Sequence, residues 1–337
     1  MSYLCCISLM MLTYAGIDDK AGEFVAKRYQ QPDGAITVYV DGDNVDPYFS
    51  IKALLAAHAH GLDIRRSAEA WIEWLIPKQL SDGRFERYCR QSGETWQRCA
   101  PADADDALLA LWLELLHALS PDKGLPALWR QSATRAEKHL STLLDRELGV
   151  YRVSQAQPIA LLMDNVEVYA ALSAVARHQK RFGLHAKSRK TAVKAKNLRR
   201  AIDRVFWQSN LRMYRASLHE EPVDRFYPDI VAQIYPWLAG MNTPAGNKLK
   251  EYMRWREQYA QDWLTLELDE FPWGLVALAS LKFHDRETAL RWYESASPLR
   301  HSPRWNILEE AAYQVIAFDL CCRSVSYFGA YVLREES

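Results

Sequence analysis

The chain repeats one pattern at an interval of about 60 residues, the length of two helices, their turns and a small hairpin. Three segments share the same order: a short acidic loop, an apolar helix, a basic amphipathic helix and a short strand alternating aromatic and basic residues. The first runs from Asp46-Pro47-Tyr48-Phe49 through Ile51–His60 and Ser67–Pro77 to Asp82–Tyr88. The second starts at Asp103-Ala104-Asp105-Asp106, continues through Ala107–Leu119 and Ala127–Leu144, and ends in Gly149–Val153. The third starts at Asp164-Asn165-Val166-Glu167, runs through Tyr169–His178 and Ala186–Phe206, and ends in Leu211–Arg215. Looser copies open at Tyr227-Pro228-Asp229, Phe271-Pro272-Trp273 and Ser302-Pro303. Each opening carries a helix start signal, Asp or Ser as a cap or Pro in the first turn. Ahead of the first copy, Lys20–Gln30 reads as a lone outer helix followed by a strand ending, Asp33–Tyr39.

Two kinds of helix alternate. Ala107–Leu119 and Gly274–Phe283 are apolar nearly all round, as a helix surrounded by other helices must be. Ala186–Phe206 instead carries Lys187, Arg189, Lys190, Lys194, Lys196, Arg199 and Arg200 outside an apolar stripe of Ala192, Ala195, Leu198, Ile202 and Val205. It keeps one face in water. Inner helices ringed by outer ones predict an all-α fold, an (α/α)6 toroid of six inner and six outer helices with short β-hairpins at the helix-pair ends. Strands are expected only near Thr37–Val40, Arg84–Tyr88, Tyr151–Val153 and Met213–Arg215. No unit is large enough to bury its apolar helix alone, so residues 1–337 are expected to form a single domain. Only 14 Gly and 14 Pro suit helices joined by short turns better than a sheet-rich fold.

Charge and motifs narrow the function classes. Lys and Arg number 42 and Asp and Glu 42, so no global positive field exists to hold a polyanion, which speaks against a nucleic-acid partner. Met1–Gly16 is apolar and uncharged. It is either a truncated signal segment, which would make the protein periplasmic or secreted, or part of the first outer helix of a cytoplasmic one. No other stretch reaches the roughly 20 apolar residues that span a bilayer, so no integral membrane segment is expected. Cys5/Cys6, Cys321/Cys322, Cys89 and Cys99 show no zinc-ligand spacing, and no metal is expected. Cys89 and Cys99 flank a polar loop, Arg90–Arg98, where a disulfide and two free thiols fit equally well. Nucleophile-elbow, P-loop, dinucleotide and zincin patterns are absent, so no cofactor is expected.

In a ring of inner helices pointing the same way, the N-terminal ends converge on one face, and the acidic residues gather at those ends. Asp41, Asp43 and Asp46, then Asp103, Asp105 and Asp106, then Asp164 and Glu167, Asp224 and Asp229, and finally Glu267, Asp269 and Glu270 precede or open inner helices. Capping needs one acid per helix. The surplus crowds like charges, which raises one carboxyl's pKa while another stays a base. Asp106 is assigned to the cap or the helix surface. Aromatic residues share these loops: Tyr48, Phe49, Trp96, Tyr169, Phe226, Tyr227, Tyr235, Trp237, Phe271, Trp273 and Trp305. Rings stack on the apolar faces of sugars while carboxylates bind hydroxyls, so a carbohydrate substrate is expected. Among them Tyr48, Trp96, Tyr169, Tyr227, Trp237, Trp273 and Trp305, with Asp105, are the candidate substrate-binding residues.

Three stretches carry a family resemblance: Tyr29-Gln30-Gln31-Pro32-Asp33-Gly34-Ala35, then Asp43-Asn44-Val45-Asp46-Pro47-Tyr48 with Ala53-Leu54-Leu55-Ala56-Ala57, and Asp103-Ala104-Asp105-Asp106 running into Ala107–Trp112. They resemble the six-hairpin (α/α)6 glycosidases, most nearly glycoside hydrolase family 8, over roughly Tyr29 to Leu119. The resemblance implies a glycoside hydrolase cleaving a polysaccharide or oligosaccharide by carboxylate general acid and base catalysis, with inversion. It also implies that Asp103 or Asp105 of the Asp-Ala-Asp motif binds the sugar, with Asp103 the favoured match. The family's catalytic Glu falls at Asn44, which leaves Asp43 or Asp46 to supply the proton. Asp164, Glu167 and Asp229 are the candidate bases, activating water from the opposite face of the sugar as inversion requires. Two other readings compete: a non-catalytic carbohydrate-binding or polysaccharide-biosynthesis accessory protein, and a six-hairpin sugar epimerase. The epimerase needs paired histidines in the cleft. His58, His60, His117 and His178 lie inside or at the far ends of inner helices instead, and only His301 is near an expected entrance.

Overall fold

The computed structural model describes residues 22–332 except 25, 27, 92–93, 123 and 220–224, with side chains described as far as Leu320. The N-terminal segment 1–16 and Asp224 lie outside the described residues. The protein is mainly helical, at 57% helix. In chain order the helices are α1 (Pro47–Ala59), α2 (Arg65–Leu75), α3 (Asp105–Leu119), α4 (Ala127–Thr142), α5 (Leu162–Arg181) and α6 (His185–Phe206). They continue with α7 (Ile234–Leu238), α8 (Lys248–Trp263), α9 (Gly274–Lys282), α10 (Arg286–Ala296) and α11 (Ile307–Val332). A π-helical turn, Phe226–Ile230, leads into α7.

The odd-numbered helices pack in sequence, α1 on α3, α3 on α5, α5 on α7, α7 on α9 and α9 on α11, and α11 returns to pack on α1. The even-numbered helices lie outside this cycle: α4 packs on α3, α6 on α5 and α10 on α9 and α11. Burial follows the two sequence patterns. α9 buries every residue from Gly274 to Ser280. α6 buries Ser188, Thr191, Ala195, Leu198, Ala201, Ile202 and Phe206, a seam recurring every three or four residues. Tryptophans tie α8 to the inner layer, with Trp255 Nε1 donating to Ile230 O at 3.2 Å and Trp263 Nε1 to Pro272 O at 3.0 Å.

Two expectations are corrected. The described part of Lys20–Gln30 is not a helix, because its backbone bonds outward: Phe24 N donates to Asp63 O, Asp63 N to Gly22 O, and Glu23 and Asp63 form a bridge. Thr37–Val40 and Tyr151–Val153 carry isolated bridges, Tyr39 to Asn306 and Leu144 to Tyr151, rather than strands. The strands are β1 (Asn44–Val45), β2 (Glu86–Cys89), β3 (Gln97–Pro101), β4 (Trp207–Gln208) and β5 (Met213–Tyr214). β1, β2 and β3 form one antiparallel sheet and β4 and β5 a hairpin. β3 is largely exposed and shows no alternation that would mark it in the sequence, and it takes in the end of the polar loop Arg90–Arg98. A disulfide joins Cys89 to Cys99 across β2 and β3. β1 runs directly into α1 and β3 ends just before α3, so this sheet fixes the approach to two inner-helix N-termini. No helix among the described residues is long and apolar enough to cross a membrane.

Candidate active site

Asp46 caps α1, its Oδ1 accepting the Tyr48 N–H at 3.0 Å, and Pro47 opens the first turn. Burial pushes the Asp46 carboxyl up to about 6, against the Tyr48 N–H and Arg87, with the charge of Asp103 adding to the rise. One turn on, Tyr48 and Lys52 share a helix face. Lys52 Nζ donates to the Tyr48 hydroxyl at 2.6 Å and to the Tyr235 hydroxyl at 2.8 Å, and pairs with Glu167 Oε1 at 2.6 Å. The Tyr48 hydroxyl donates to both oxygens of Glu167, at 3.1 and 3.2 Å. Four side chains from α1, α5 and α7 therefore meet at one point. Burial lowers the Lys52 ammonium, but Glu167 and Tyr235 together, through charge and hydrogen bonds, outweigh it and hold the group above its usual range.

Asp106 and Asp164 flank this clamp from α3 and α5. Both are buried, and in each the Oδ2 atom has no hydrogen-bond partner; Asp106 Oδ1 accepts the Ala107 N–H at 2.9 Å. Burial pushes Asp106 up to about 7, opposed by that N–H, with Glu167 and Asp105 adding to the rise. Burial also raises Asp164 well above the carboxylate range, with Asp106 the next contributor and Glu167 after it. Two such carboxyls resist ionising together, so the charge of one favours the protonated form of the other.

The rim is acidic and aromatic. Asp103 is exposed, and its charge is felt at Asp46, Asp164 and Tyr227. Tyr227 stacks on Trp273 with centroids 5.1 Å apart and planes 25° apart. Trp273 has a left-handed backbone, φ 55°, immediately before Gly274. From the first turn of α11, Glu309 Oε2 accepts the Gly274 N–H at 2.7 Å and so caps α9. Burial pushes Glu309 up to about 8 against the Gly274 and Trp273 N–H groups.

Of the residues singled out from sequence, Asp46, Asp103, Asp164, Glu167, Tyr48 and Tyr227 come together here, with Trp273 beside Tyr227. Asp105 turns aside toward Arg84, whose charge opposes the burial that pushes its carboxyl up to about 6. Asp43 is exposed ahead of β1, its carbonyl accepting the Arg90 N–H. Asp229 is buried in the π-helical turn and accepts the Arg225 N–H at 3.4 Å. Trp96 sits on the β2–β3 hairpin, its Nε1 donating to Asp33 Oδ2 and the Arg90 guanidinium lying over its ring. Tyr169 is half-buried against the core.

Three assignments are corrected. Trp237 is buried edge-on against Tyr252, Trp255 and Phe283, where the α8 aromatics close over it. Trp305 is fully buried, stacked on Trp292, with Nε1 donating to Glu310 Oε2 at 3.0 Å. Both are core rather than cleft. Asp106 is not a surface cap but the most deeply buried acid of the cluster, because α3 is enclosed on all sides. Sequence reasoning missed Lys52 and Glu309. The signal for each was a charged residue inside the apolar run of an inner helix, where an unpaired charge is too costly to keep. Tyr235 was noted only as a loop aromatic. Among the described residues no group of three His, Cys, Asp or Glu side chains is placed to hold a metal ion.

No family model and no curated protein sequence matches the chain. Solved structures do. An alpha-amylase from Clostridium perfringens aligns at TM-score 0.57 and 11% identity, over 88% of this chain and 94% of its own. The mannosylglycerate hydrolase of glycoside hydrolase family 63 from Thermus thermophilus, solved with glucose, aligns at 0.56 and 11%, over 86% and 97%. A D-mannose isomerase aligns at 0.55 and 10%, over 93% and 97%. The chain thus shares the fold of sugar-processing enzymes, most of them glycosidases.

Proposed function

We propose that the protein is a glycoside hydrolase whose substrate, a polysaccharide or oligosaccharide, binds across the N-terminal ends of the inner helices. The observation that carries this reading is the cluster itself: two carboxyls raised by burial, Asp46 and Asp164, beside an exposed Asp103 and a stacked Tyr227–Trp273 wall. Asp46 is the general acid, its raised pKa keeping part of the population protonated near neutral pH. Asp103 holds the sugar through its hydroxyls. The Asp106–Asp164 pair, whose members resist ionising together, supplies the carboxylate that activates water for an inverting displacement. Glu167, already engaged by Lys52 and Tyr48, positions the pair rather than reacting.

The same reading makes the chain a single-domain six-hairpin toroid related to glycoside hydrolase family 8, with Asp46 replacing the acid absent at Asn44. The likeness to a mannose isomerase supports the sugar chemistry but not isomerisation by histidine pairs. His60 and His117 each bond a carbonyl one turn back on their own helices, at 2.9 and 2.7 Å, far along α1 and α3 from the mouth. The test is reducing-sugar release from a panel of neutral and acidic polysaccharides, with proton NMR of the first anomer formed. Cleavage lost in Asp46→Asn and Asp164→Asn supports the assignment. Binding of a glycan without cleavage of any would favour the accessory protein.

A further inference from the structure

Beside the acidic cluster proposed as the sugar-binding mouth lies a cavity walled by polar groups. It has a volume of about 360 Å³ and lies between the β2–β3 hairpin, the start of α3, the C-terminal half of α4 and the loop 154–157. Asp103 stands in its wall, so cavity and mouth share that residue. Asp105, only 5% exposed, also lines it, and no hydrogen bond is made to its carboxylate by any described residue. His139, 7% exposed, lines it as well, and its Nε2 has no partner. Buried polar groups are ordinarily satisfied, so the unpartnered His139 Nε2, beside an Asp105 carboxylate that no described residue bonds, points to something that fills the hollow.

The wall also indicates what fits. Arg84 is fixed by Asp82 at 2.8 Å and Arg87 by the Pro101 carbonyl at 2.8 Å, so both guanidiniums are held in place with N–H groups to spare. Gln157 adds an amide at the exposed edge. The two arginines face Asp82, Asp103 and Asp105, which removes any excess of positive charge that an acidic sugar would need. No Phe, Tyr or Trp lines the cavity, so recognition rests on hydrogen bonds to hydroxyls rather than on stacking. The volume is at the lower end for small-molecule sites, room for about one or two pyranose rings.

We propose that this cavity is a sugar subsite continuous with the mouth through Asp103, taking an uncharged, hydroxyl-rich unit of the same glycan whose neighbouring unit lies at the mouth. The proposal rests on the carbohydrate reading of that mouth. Calorimetric titration with gluco-, xylo- and manno-oligosaccharides of two to six units, and with oligogalacturonides, tests it on four proteins: wild type, Asp105→Asn, Gln157→Ala and Asp103→Asn. Gln157 is exposed, so its variant is expected to fold. In Asp105→Asn and Gln157→Ala, affinity for the longer neutral ligands should fall about tenfold, while a disaccharide seated at the mouth changes less than about twofold. Asp103→Asn should weaken both. Wild-type protein that binds no glycan overturns the carbohydrate reading, and this subsite with it. Binding weakened by Asp103→Asn but equal to wild type in the other two variants at every length overturns the subsite alone. A preference for oligogalacturonides that these variants abolish overturns the uncharged ligand.

Discussion

Lys52 and Glu167 lie 2.6 Å apart with side chains 9% and 8% exposed, so each charge depends on the other for its solvation. Removing one partner strands the other. Lys52→Met should cost about 3–5 kcal/mol, and Glu167→Gln in the same chain should recover much of that loss, since no buried charge then stands alone. Denaturant unfolding of the two single variants and the double variant measures the coupling; additive losses would remove it. The exposed Asp103 plays no such structural part. Asp103→Asn should leave the melting temperature unchanged and reduce kcat/KM at least about a hundredfold, roughly 3 kcal/mol of transition-state stabilisation. A melting shift with activity retained would reverse that assignment. At this scale the sequence was legible where acids opened helices, as at Asp46 and Asp164. It was not legible where a role came from across the ring, as for Tyr235, 183 residues from Lys52.

Helices α3 and α9 could be read as inner because they are apolar on every side, and α6 as outer because its buried residues form one stripe. The fourth inner element was harder to bound. Pro228 and Pro236 interrupt it, and the chain enters through a π-helical turn that turns again at Gln233 before α7. Its acidic start was visible, but the burial of Trp237 depends on α8, which no local pattern reports. The junction of α9 and α11 gives an element-scale prediction. A Cβ at Gly274 would lie 2.5 Å from Ala312 Cβ, 2.8 Å from Glu309 Oε2 and 2.9 Å from the Trp292 ring. Gly274→Ala should therefore push the two helices apart and cost about 1–3 kcal/mol. Thermal melting at one fixed pH measures it, and an unchanged midpoint would mean the junction yields freely.

Across the whole molecule, acids and histidines partly or wholly withdrawn from water divide the pH scale between them. Burial lowers His58, His60, His117, His139, His178 and His301, so the unfolded chain takes up more protons below about pH 6.5 and stability falls on acidification. Asp106, pushed up to about 7, and Glu309, pushed up to about 8, act in the opposite sense. Their folded pKa values exceed the unfolded ones, so the stability they add is complete below the unfolded pKa and is lost as pH rises through 7 to 8. Acids with lowered values, such as Asp285 and Glu310, are already ionised in both states there and leave that slope alone. The melting temperature should thus peak near about pH 6.5 and drop by several degrees toward about pH 8.5. Scanning fluorimetry across that range checks it, and Glu309→Gln should flatten the alkaline limb.

The return of α11 onto α1 has a temporal side. A ribosome releases α1 some 250 residues before it releases the helix that covers its flank, so the nascent chain carries an open arc with two unpaired inner faces until the end. Pairing partners this distant in sequence is slow, because the loop entropy is spent before any contact repays it. Growing from one end, the arc resembles a row of stacked units, yet unlike an open row it gains its last two interfaces at once. Completion and stability should therefore arrive together, and a chain stopped short of Ile307 should fall to proteases that the finished ring resists.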